Sequence, residues 1–293
     1  MVGKPSFSRK VFIVINTFLL ASLSFICLAP VIHVLFASMS DPTLLVRNTG
    51  ILLWPLGFTY RGYELVVGNP NVIAGFLNSI FYVVFGVIIN IIMTSMGAYV
   101  CSRKNFAMRK AMNFMIVFTM FFSGGLIPFY LLVENIGIAN TRWALLLPTA
   151  ISAFNLIIMR TAFQEIPDSF EESARMDGAN DFIILFRIIL PLSKAVVAVM
   201  VLLYAVFHWN SWFHALIFLR NRSLYPLQLI LREILIQNDM GQVMMVADMA
   251  DVNLYRPLVR YATIIVAIVP IILVYPFIQN HFVKGVMIGG VKG

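Results

Sequence analysis

Six long apolar runs, separated by polar segments, constrain the fold of this chain more than any other feature. They lie at roughly residues 11–38, 74–100, 111–133, 143–159, 188–207 and 261–280. A helix needs about 20 apolar residues to cross the roughly 30 Å of hydrocarbon in a bilayer. Only 12% of the 293 residues are charged, about half the share that is typical of soluble domains. The sequence therefore predicts an all-α, polytopic membrane protein with six transmembrane helices in one domain, residues 1–293.

The basic residues predict how these helices are oriented. Every lysine lies in a segment on the same side as the amino terminus, whereas the segments on the opposite side carry arginine alone. The net charge of +8 therefore follows the positive-inside rule and forms no stripe that would suit nucleic acid. The first run is too long for a signal-peptide core and is interpreted as a retained helix. We expect both termini in the cytoplasm, an inner loop at 164–187 and an outer loop at 208–257.

Groups that drive transport or catalysis are missing from the predicted spans. Their interiors carry no acidic residue, and Lys194, near the inner end of the fifth, is the one basic residue. Ion-coupled carriers normally keep charged side chains in their spans. The sequence also lacks a Gly-x-x-x-x-Gly-Lys-Ser/Thr phosphate loop and a His/Cys pattern with metal-ligand spacing. We expect no catalytic residue, metal or cofactor, and a channel that is passive or driven by another subunit.

The inner loop has a sequence typical of two short helices joined by a glycine turn. Ser169 and Glu172 have the spacing of a capping box. Gly178 would end the first helix because glycine adopts the left-handed conformation without a steric penalty. The two helices are predicted at 170–176 and 182–189. The alternative is a solvated connection, but loops between antiparallel helices usually have only about 2–8 residues.

The same loop carries a spaced signature. It reads Glu172-Ser173-Ala174, three residues, Gly178, nine residues, and then Ile188-x-Leu190-Pro191. This spacing resembles the Glu-Ala-Ala (EAA) loop in permease subunits of ATP-binding-cassette (ABC) importers, with serine in place of the middle alanine. Further runs resemble carbohydrate-uptake permeases of the smaller, maltose-importer G-like type over essentially the whole chain: Ser123–Pro128, Asn140-Thr141, Arg160–Phe163, Ile166-Pro167, Trp209-Asn210 and Gly289–Gly293. The first of these runs is similar to that of the branch that imports oligosaccharides and polysaccharides such as alginate.

The resemblance implies a type I importer permease in the bacterial inner membrane. The implied partners are a second permease in a heterodimer, two ATPase subunits that bind ATP and Mg²⁺, and a periplasmic or extracellular solute-binding protein. Membrane lipid and a saccharide substrate complete the set. The loop residues expected to couple the chain to the ATPases are Phe170, Glu171, Glu172, Ser173, Ala174, Asp177, Gly178, Phe182, Leu190 and Pro191. Gly289, Gly290 and Lys292 in the tail are expected to reach the ATPases as well.

Aromatic and amide side chains near the spans are candidates for the sugar pathway, because sugars are bound by stacking and by hydrogen bonds. The candidates are Tyr82, Asn90, Asn155, Tyr204, Trp209 and Asn210. Helix–helix packing is the alternative for each of them. The outer arginines suit carboxylate recognition, but lipid headgroups explain them equally well. The charge of the substrate stays open, and a permease for a non-sugar solute, an ion-coupled carrier and a membrane enzyme are the competing functions.

Overall fold

The computed structural model describes residues 7–236 and 254–273. The described residues group into two compact units: those within 1–69 and 234–268, and those within 70–233 and 269–293. The helices are α1 Phe7–Ser38, α2 Pro42–Arg47, α3 Arg61–Val67, α4 Pro70–Ser102, α5 Arg109–Phe121, α6 Leu126–Asn135, α7 Trp143–Leu146, α8 Ala153–Gln164, α9 Asp168–Met176, α10 Asp181–Ile184, α11 Leu190–Leu192, α12 Lys194–Trp209, α13 Phe213–Phe218, α14 Leu227–Ile236 and α15 Leu254–Leu273. A π-helical turn, Leu185–Ile189, joins α10 to α11, and a 3₁₀ turn, Arg222–Leu224, precedes α14.

Three of the described helices, α1, α4 and α15, are each long and apolar enough to cross a membrane. Two bent pairs pass the same test: α5 with α6, bent by 115°, and the helical run 181–192 with α12, bent by 90°. These five correspond to every predicted span except the fourth. The multi-pass prediction is therefore confirmed. The last predicted span began at residue 261, and its portion beyond residue 273 lies outside the described residues.

The bend between α5 and α6 occurs at the sequence Ser123-Gly124-Gly125. Gly125 has a φ of +83°, a conformation that side chains with a Cβ rarely adopt. Pro128 lies in the first turn of α6, where a missing amide donor is tolerated. The glycine pair and the proline together account for the break between the two helices.

The fourth apolar run, where the sequence predicts a span at 143–159, is interrupted in the structure and forms two helices, α7 and α8. Residues 147–152 separate α7 from α8, and a proline within this break cannot donate a helical hydrogen bond. Polar side chains bind the freed backbone groups. The Asn90 side-chain amide donates to the Thr149 carbonyl at 2.6 Å, and the Ser152 amide donates to the Tyr204 hydroxyl at 3.2 Å. Hydropathy identified the apolar run but could not show that it is interrupted.

Helix α4 is the centre of the second unit and packs mainly along α8 and α12. Two glycines allow this close approach. A Cβ at Gly86 would lie 2.3 Å from His208 Nε2, and a Cβ at Gly97 would lie 2.9 Å from Leu156 Cδ1. One buried core cluster of this unit consists of Ala98, Tyr99, Leu156, Met159, Phe163, Ala174, Ile184, Leu185, Ile189, Met200 and Tyr204. Because this core includes residues of α9 and α10, the inner loop packs on the helices of its own unit.

The first unit has a smaller core around the end of α1. Ala37, Leu45 and Leu52 are buried together. Asp41 caps α2 by accepting a hydrogen bond from the Thr43 amide at 2.8 Å. Most side chains of α1 before residue 31 are exposed and apolar, as expected for a surface that faces lipid or another membrane subunit.

Candidate functional site

Helix α9 forms the first half of the signature loop and begins earlier than the sequence predicted. Its first residue is Asp168, directly after Pro167, and no side chain caps it. The capping box predicted for Ser169 and Glu172 is therefore wrong, because Ser169 already lies inside the first turn. The Asp168 carboxylate instead binds Lys104 Nζ at 2.7 Å. A carboxylate in the first turn also interacts favourably with the helix dipole.

Helix α9 ends at the glycine turn, as the sequence predicted. Gly178 has a φ of +80°, and two backbone hydrogen bonds close the last turn. The Gly178 amide donates to the Arg175 carbonyl at 3.0 Å, and the Ala179 amide donates to the Ala174 carbonyl at 2.9 Å. This pair of bonds is a Schellman motif, which glycine favours because it has no Cβ. Asn180 then caps α10 by accepting from the Ile183 amide at 2.9 Å.

Glu171 fixes α9 to the end of α4. Its side chain is only 12% exposed, and three donors hold its carboxylate. Arg103 Nη1 donates to Oε2 at 2.5 Å, while the Tyr99 hydroxyl and Arg175 Nη2 donate to Oε1 at 2.9 and 3.0 Å. Arg175 also binds Asp181 at 2.5 Å, which links α9 to α10. The sequence predicted that Glu171 would contact the ATPase. In the structure, its carboxylate is hydrogen-bonded to side chains of its own chain.

Arg103 is the residue at which three helices meet. Its guanidinium donates to the Ser102 hydroxyl at the end of α4 (2.9 Å), to the Phe163 carbonyl near the end of α8 (3.0 Å), and to Glu171 of α9. It also lies 4.9 Å above the centre of the Tyr99 ring. Only 15% of its side chain is exposed, so these bonds are poorly accessible to competing water. Sequence reasoning did not identify Arg103. The available signal was that Arg103 lies in a basic segment, whereas the start of α9 is acidic.

The electrostatics of the cluster keep Glu171 ionised. Burial by itself would raise the pKa of Glu171, but hydrogen bonds from Arg175 and Tyr99 and the charge of Arg103 outweigh it, so the pKa lies below its ordinary value. The pKa of Asp168 is also lowered, by its hydrogen bond to Lys104 and by the lysine's charge. Opposite charges that stay ionised hold the end of α4 and the start of α9 together.

The opposite face of α9 is open. On α9, Met176 is 88% exposed and Phe170 is 48% exposed; on the following α10, Phe182 is 61% exposed. Glu172 and Asp177 are exposed and form no ion pair with any described residue. The loop therefore presents apolar and acidic side chains together. Sequence reasoning named all of these except Met176.

The remaining predicted loop residues have different positions. Ala174 is buried in the core of the second unit, and Leu190 is partly buried against it. Ser173 and Pro191 are exposed. Pro191 lies just before the 90° bend between residues 181–192 and α12. The predicted tail residues Gly289, Gly290 and Lys292 lie outside the described residues.

The pathway candidates have different surroundings. Tyr82, Asn90 and Tyr204 are buried and bind groups of their own unit: Tyr82 donates to the Leu224 carbonyl at 2.8 Å, and Tyr204 lies 2.7 Å from the Thr94 hydroxyl. Trp209 packs edge-on against Phe76, and Asn210 is exposed. Asn155 and Tyr204 line a cleft of ≈ 350 Å³ beside the break at 147–152. Its other lining residues are Pro148, Thr149, Ile151, Ser152, Leu203 and Phe207.

Comparison with known proteins identifies the family. Residues 72–288 match the family described as "Binding-protein-dependent transport system inner membrane component". This segment covers more than half of the chain, so the chain belongs to that family. It is a permease subunit of an ABC importer, a transport subunit rather than an enzyme. Family membership also implies ATPase and solute-binding protein partners.

Particular relatives match over nearly the full length. The chain is 41% identical over 272 residues to the polygalacturonan/rhamnogalacturonan transport system permease protein YtcP of Bacillus subtilis (strain 168). That match covers 92% of this chain and 93% of YtcP. It is 37% identical to the protein LplC of the same strain, over 97% of this chain and 96% of that one. A crystallised bacterial ABC transporter involved in the import of the acidic polysaccharide alginate has a chain that superposes with a TM-score of 0.86 at 33% identity. That match covers 96% of this chain and 100% of the other.

Proposed function

We propose that this permease imports an acidic oligosaccharide or polysaccharide fragment, with α9 as the helix that receives force from the ATPase. ATP and Mg²⁺ are bound by the partner ATPases and not by this chain. A second, different permease completes the pathway, and both termini and the loop 164–187 face the cytoplasm. The positive-inside distribution of lysine supports this orientation.

One observation carries the coupling role: α9 is fixed on one face and open on the other. The buried Glu171 carboxylate attaches it to α4, and the Schellman motif at Gly178 closes its end. A helix of nine residues is only marginally stable in water by itself, so these attachments are what keep it formed. The exposed Phe170, Met176 and Glu172 then remain available for a cleft in a partner protein. Partly apolar helix faces commonly bind in such clefts.

Cross-linking tests this interface. In a complex purified with its ATPase, Met176→Cys in a background without Cys27 and Cys101 should cross-link to the ATPase through a short bifunctional reagent. Trp54→Cys is a matched control because Trp54 is 75% exposed and lies in a segment predicted to face outward. Cross-linking from the control position with none from Met176→Cys would contradict both the interface and the orientation.

Two kinds of observation support an acidic substrate. The name of one relative specifies polygalacturonan/rhamnogalacturonan, and that of the structural relative specifies the acidic polysaccharide alginate. In this chain, Arg142 is exposed just before α7, donates to Asn78 Oδ1 at 3.3 Å, lies 4.2 Å above the Phe81 ring, and forms no ion pair with any described residue. Guanidinium groups bind carboxylates in a bidentate geometry. The cleft beside the break adds Tyr204 and Asn155 as groups for a sugar ring.

The substrate is tested with the assembled transporter and its solute-binding protein. Oligogalacturonate or alginate oligosaccharides should stimulate ATP hydrolysis, whereas neutral maltodextrins of the same length should not. Stimulation by neutral sugars alone would exclude the acidic substrate and leave the importer function intact. Stimulation by peptide or phosphate would exclude a saccharide altogether.

A further inference from the structure

Arg103 lies outside the signature loop, yet it pairs with Glu171, the side chain that fixes α9 to the end of α4. Its donors bind α4, α8 and α9 at the same time: the Ser102 hydroxyl, the Phe163 carbonyl and the Glu171 carboxylate. A lysine could not reproduce this arrangement because its ammonium is a single point of donation, while the planar guanidinium donates in several fixed directions.

We propose that Arg103 is the positioning residue through which force on α9 reaches α4 and α8 together. The proposal rests on α9 being the helix that contacts the ATPase. A force applied to the exposed face of α9 must be resisted by bonds on its attached face. The Arg103–Glu171 pair is the least exposed ion pair among the described residues, with side chains 15% and 12% exposed, so water and salt screen it little.

The neighbouring ion pair provides an internal comparison. Lys104 follows Arg103 in sequence, and it binds Asp168 of the same helix α9 at 2.7 Å. The side chains of this pair are 74% and 56% exposed, and exposed pairs of this kind contribute little. Two adjacent basic residues thus reach the same helix, but only Arg103 is shielded from solvent and bonded to α8.

The buried pair is expected to affect transmission more than attachment of the ATPase. The groups that face outward from α9, such as Met176 and Glu172, are not bonded to Arg103. Without the guanidinium, the ATPase would still bind α9, but α9 would move relative to α4 and α8 instead of carrying them along. The measurable consequence is a futile cycle in which ATP is hydrolysed and little substrate is transported.

The test compares Arg103→Gln, Arg103→Lys and Lys104→Gln in the full transporter, reconstituted with its ATPase and solute-binding protein. The oligosaccharide is whichever of oligogalacturonate and alginate oligosaccharides stimulates the unmodified complex. Arg103→Gln should lower the substrate transported per ATP hydrolysed by about tenfold, within the range of measured coupling between sites. Arg103→Lys should give an intermediate ratio, and Lys104→Gln should stay near the unmodified ratio.

Two outcomes would overturn the positioning role. One is an unchanged ratio in Arg103→Gln, and the other is a loss of transport explained entirely by less assembled complex. Cross-linking from Met176→Cys in the Arg103→Gln background separates the two proposals. If the cross-link forms and the ratio is unchanged, only the role of Arg103 fails. If no cross-link forms even in the unmodified background, the coupling role of α9 itself fails.

Discussion

Substitution of Gly178 tests whether the closed end of α9 is needed for coupling. Its φ of +80° is strained for any residue with a Cβ, but no atom lies within 4 Å of where a Cβ would be. The cost of Gly178→Ala is therefore conformational, about 1–2 kcal/mol. This shifts the balance between a closed and a frayed last turn by about 5–30-fold. Gly178→Asn should cost less because asparagine tolerates the left-handed conformation.

The transport rate is expected to decrease in the order glycine, asparagine, alanine and arginine at position 178. Gly178→Arg adds a bulky cation to the surface that is proposed to contact the ATPase, so it should nearly abolish transport. The membrane fold should persist in every variant because the strain is local and the site is open. Uptake is measured per inserted chain, with solute-binding protein and ATPase present.

Gly137 is a matched control for backbone strain. Its φ is +79°, and it too has no atom within 4 Å of the position that a Cβ would occupy. It lies in the turn after α6, away from the signature loop in sequence. Gly137→Ala and Gly137→Arg should leave uptake close to that of the unmodified protein. Full transport by Gly178→Arg, or an equal loss from Gly137→Arg, would refute the reasoning.

Two further predictions concern stability, measured as thermal unfolding of the purified chain in detergent. The pKa of Glu171 in the folded protein lies below its ordinary value. The ionised side chain therefore contributes fully to the free energy of unfolding above the ordinary pKa, and this contribution is lost as the pH falls through the folded pKa. Glu171→Gln should therefore lower the unfolding midpoint most near neutral pH, and the difference should shrink in acid; a difference independent of pH would contradict this. Gly86→Ala should destabilise by about 1–3 kcal/mol through overpacking, because its Cβ would lie 2.3 Å from His208 Nε2. Gly124→Ala, whose Cβ would have its nearest neighbour at 4.0 Å, is the control and should be nearly neutral.

Local signals in the sequence predicted most of the signature loop. The glycine turn at position 178 and the two short helices depend on residues within a few positions of each other, and so does the proline before the bend. These features could therefore be recognised without a structure. The start of α9 was misplaced because a Ser-x-x-Glu spacing is also compatible with a helix that begins one residue after a proline. In the structure no side chain caps this helix, and the Asp168 carboxylate in its first turn binds Lys104.

The attachment of α9 could not be predicted in the same way. Arg103 and Glu171 are 68 positions apart, and no local pattern marks Glu171, rather than its neighbour Glu172, as the carboxylate that is shielded from solvent. Adjacent residues on a helix are about 100° apart around its axis, since a turn has 3.6 residues. One carboxylate is consequently buried and bonded while the other is exposed. A basic segment followed in the next inner loop by an acidic one was the available signal, and it was too general to identify the pair.

The break at residues 147–152 has a consequence for biosynthesis. Its Thr149 carbonyl is bound by α4, which is made earlier, but its Ser152 amide is bound by Tyr204 of α12, which is made later. Until α12 emerges from the ribosome, that amide lacks the partner that it has in the folded protein, and an unpaired backbone donor is costly wherever it meets hydrocarbon. Nascent chains that stop between these two helices should therefore leave the insertion machinery slowly and be preferred targets for membrane proteases.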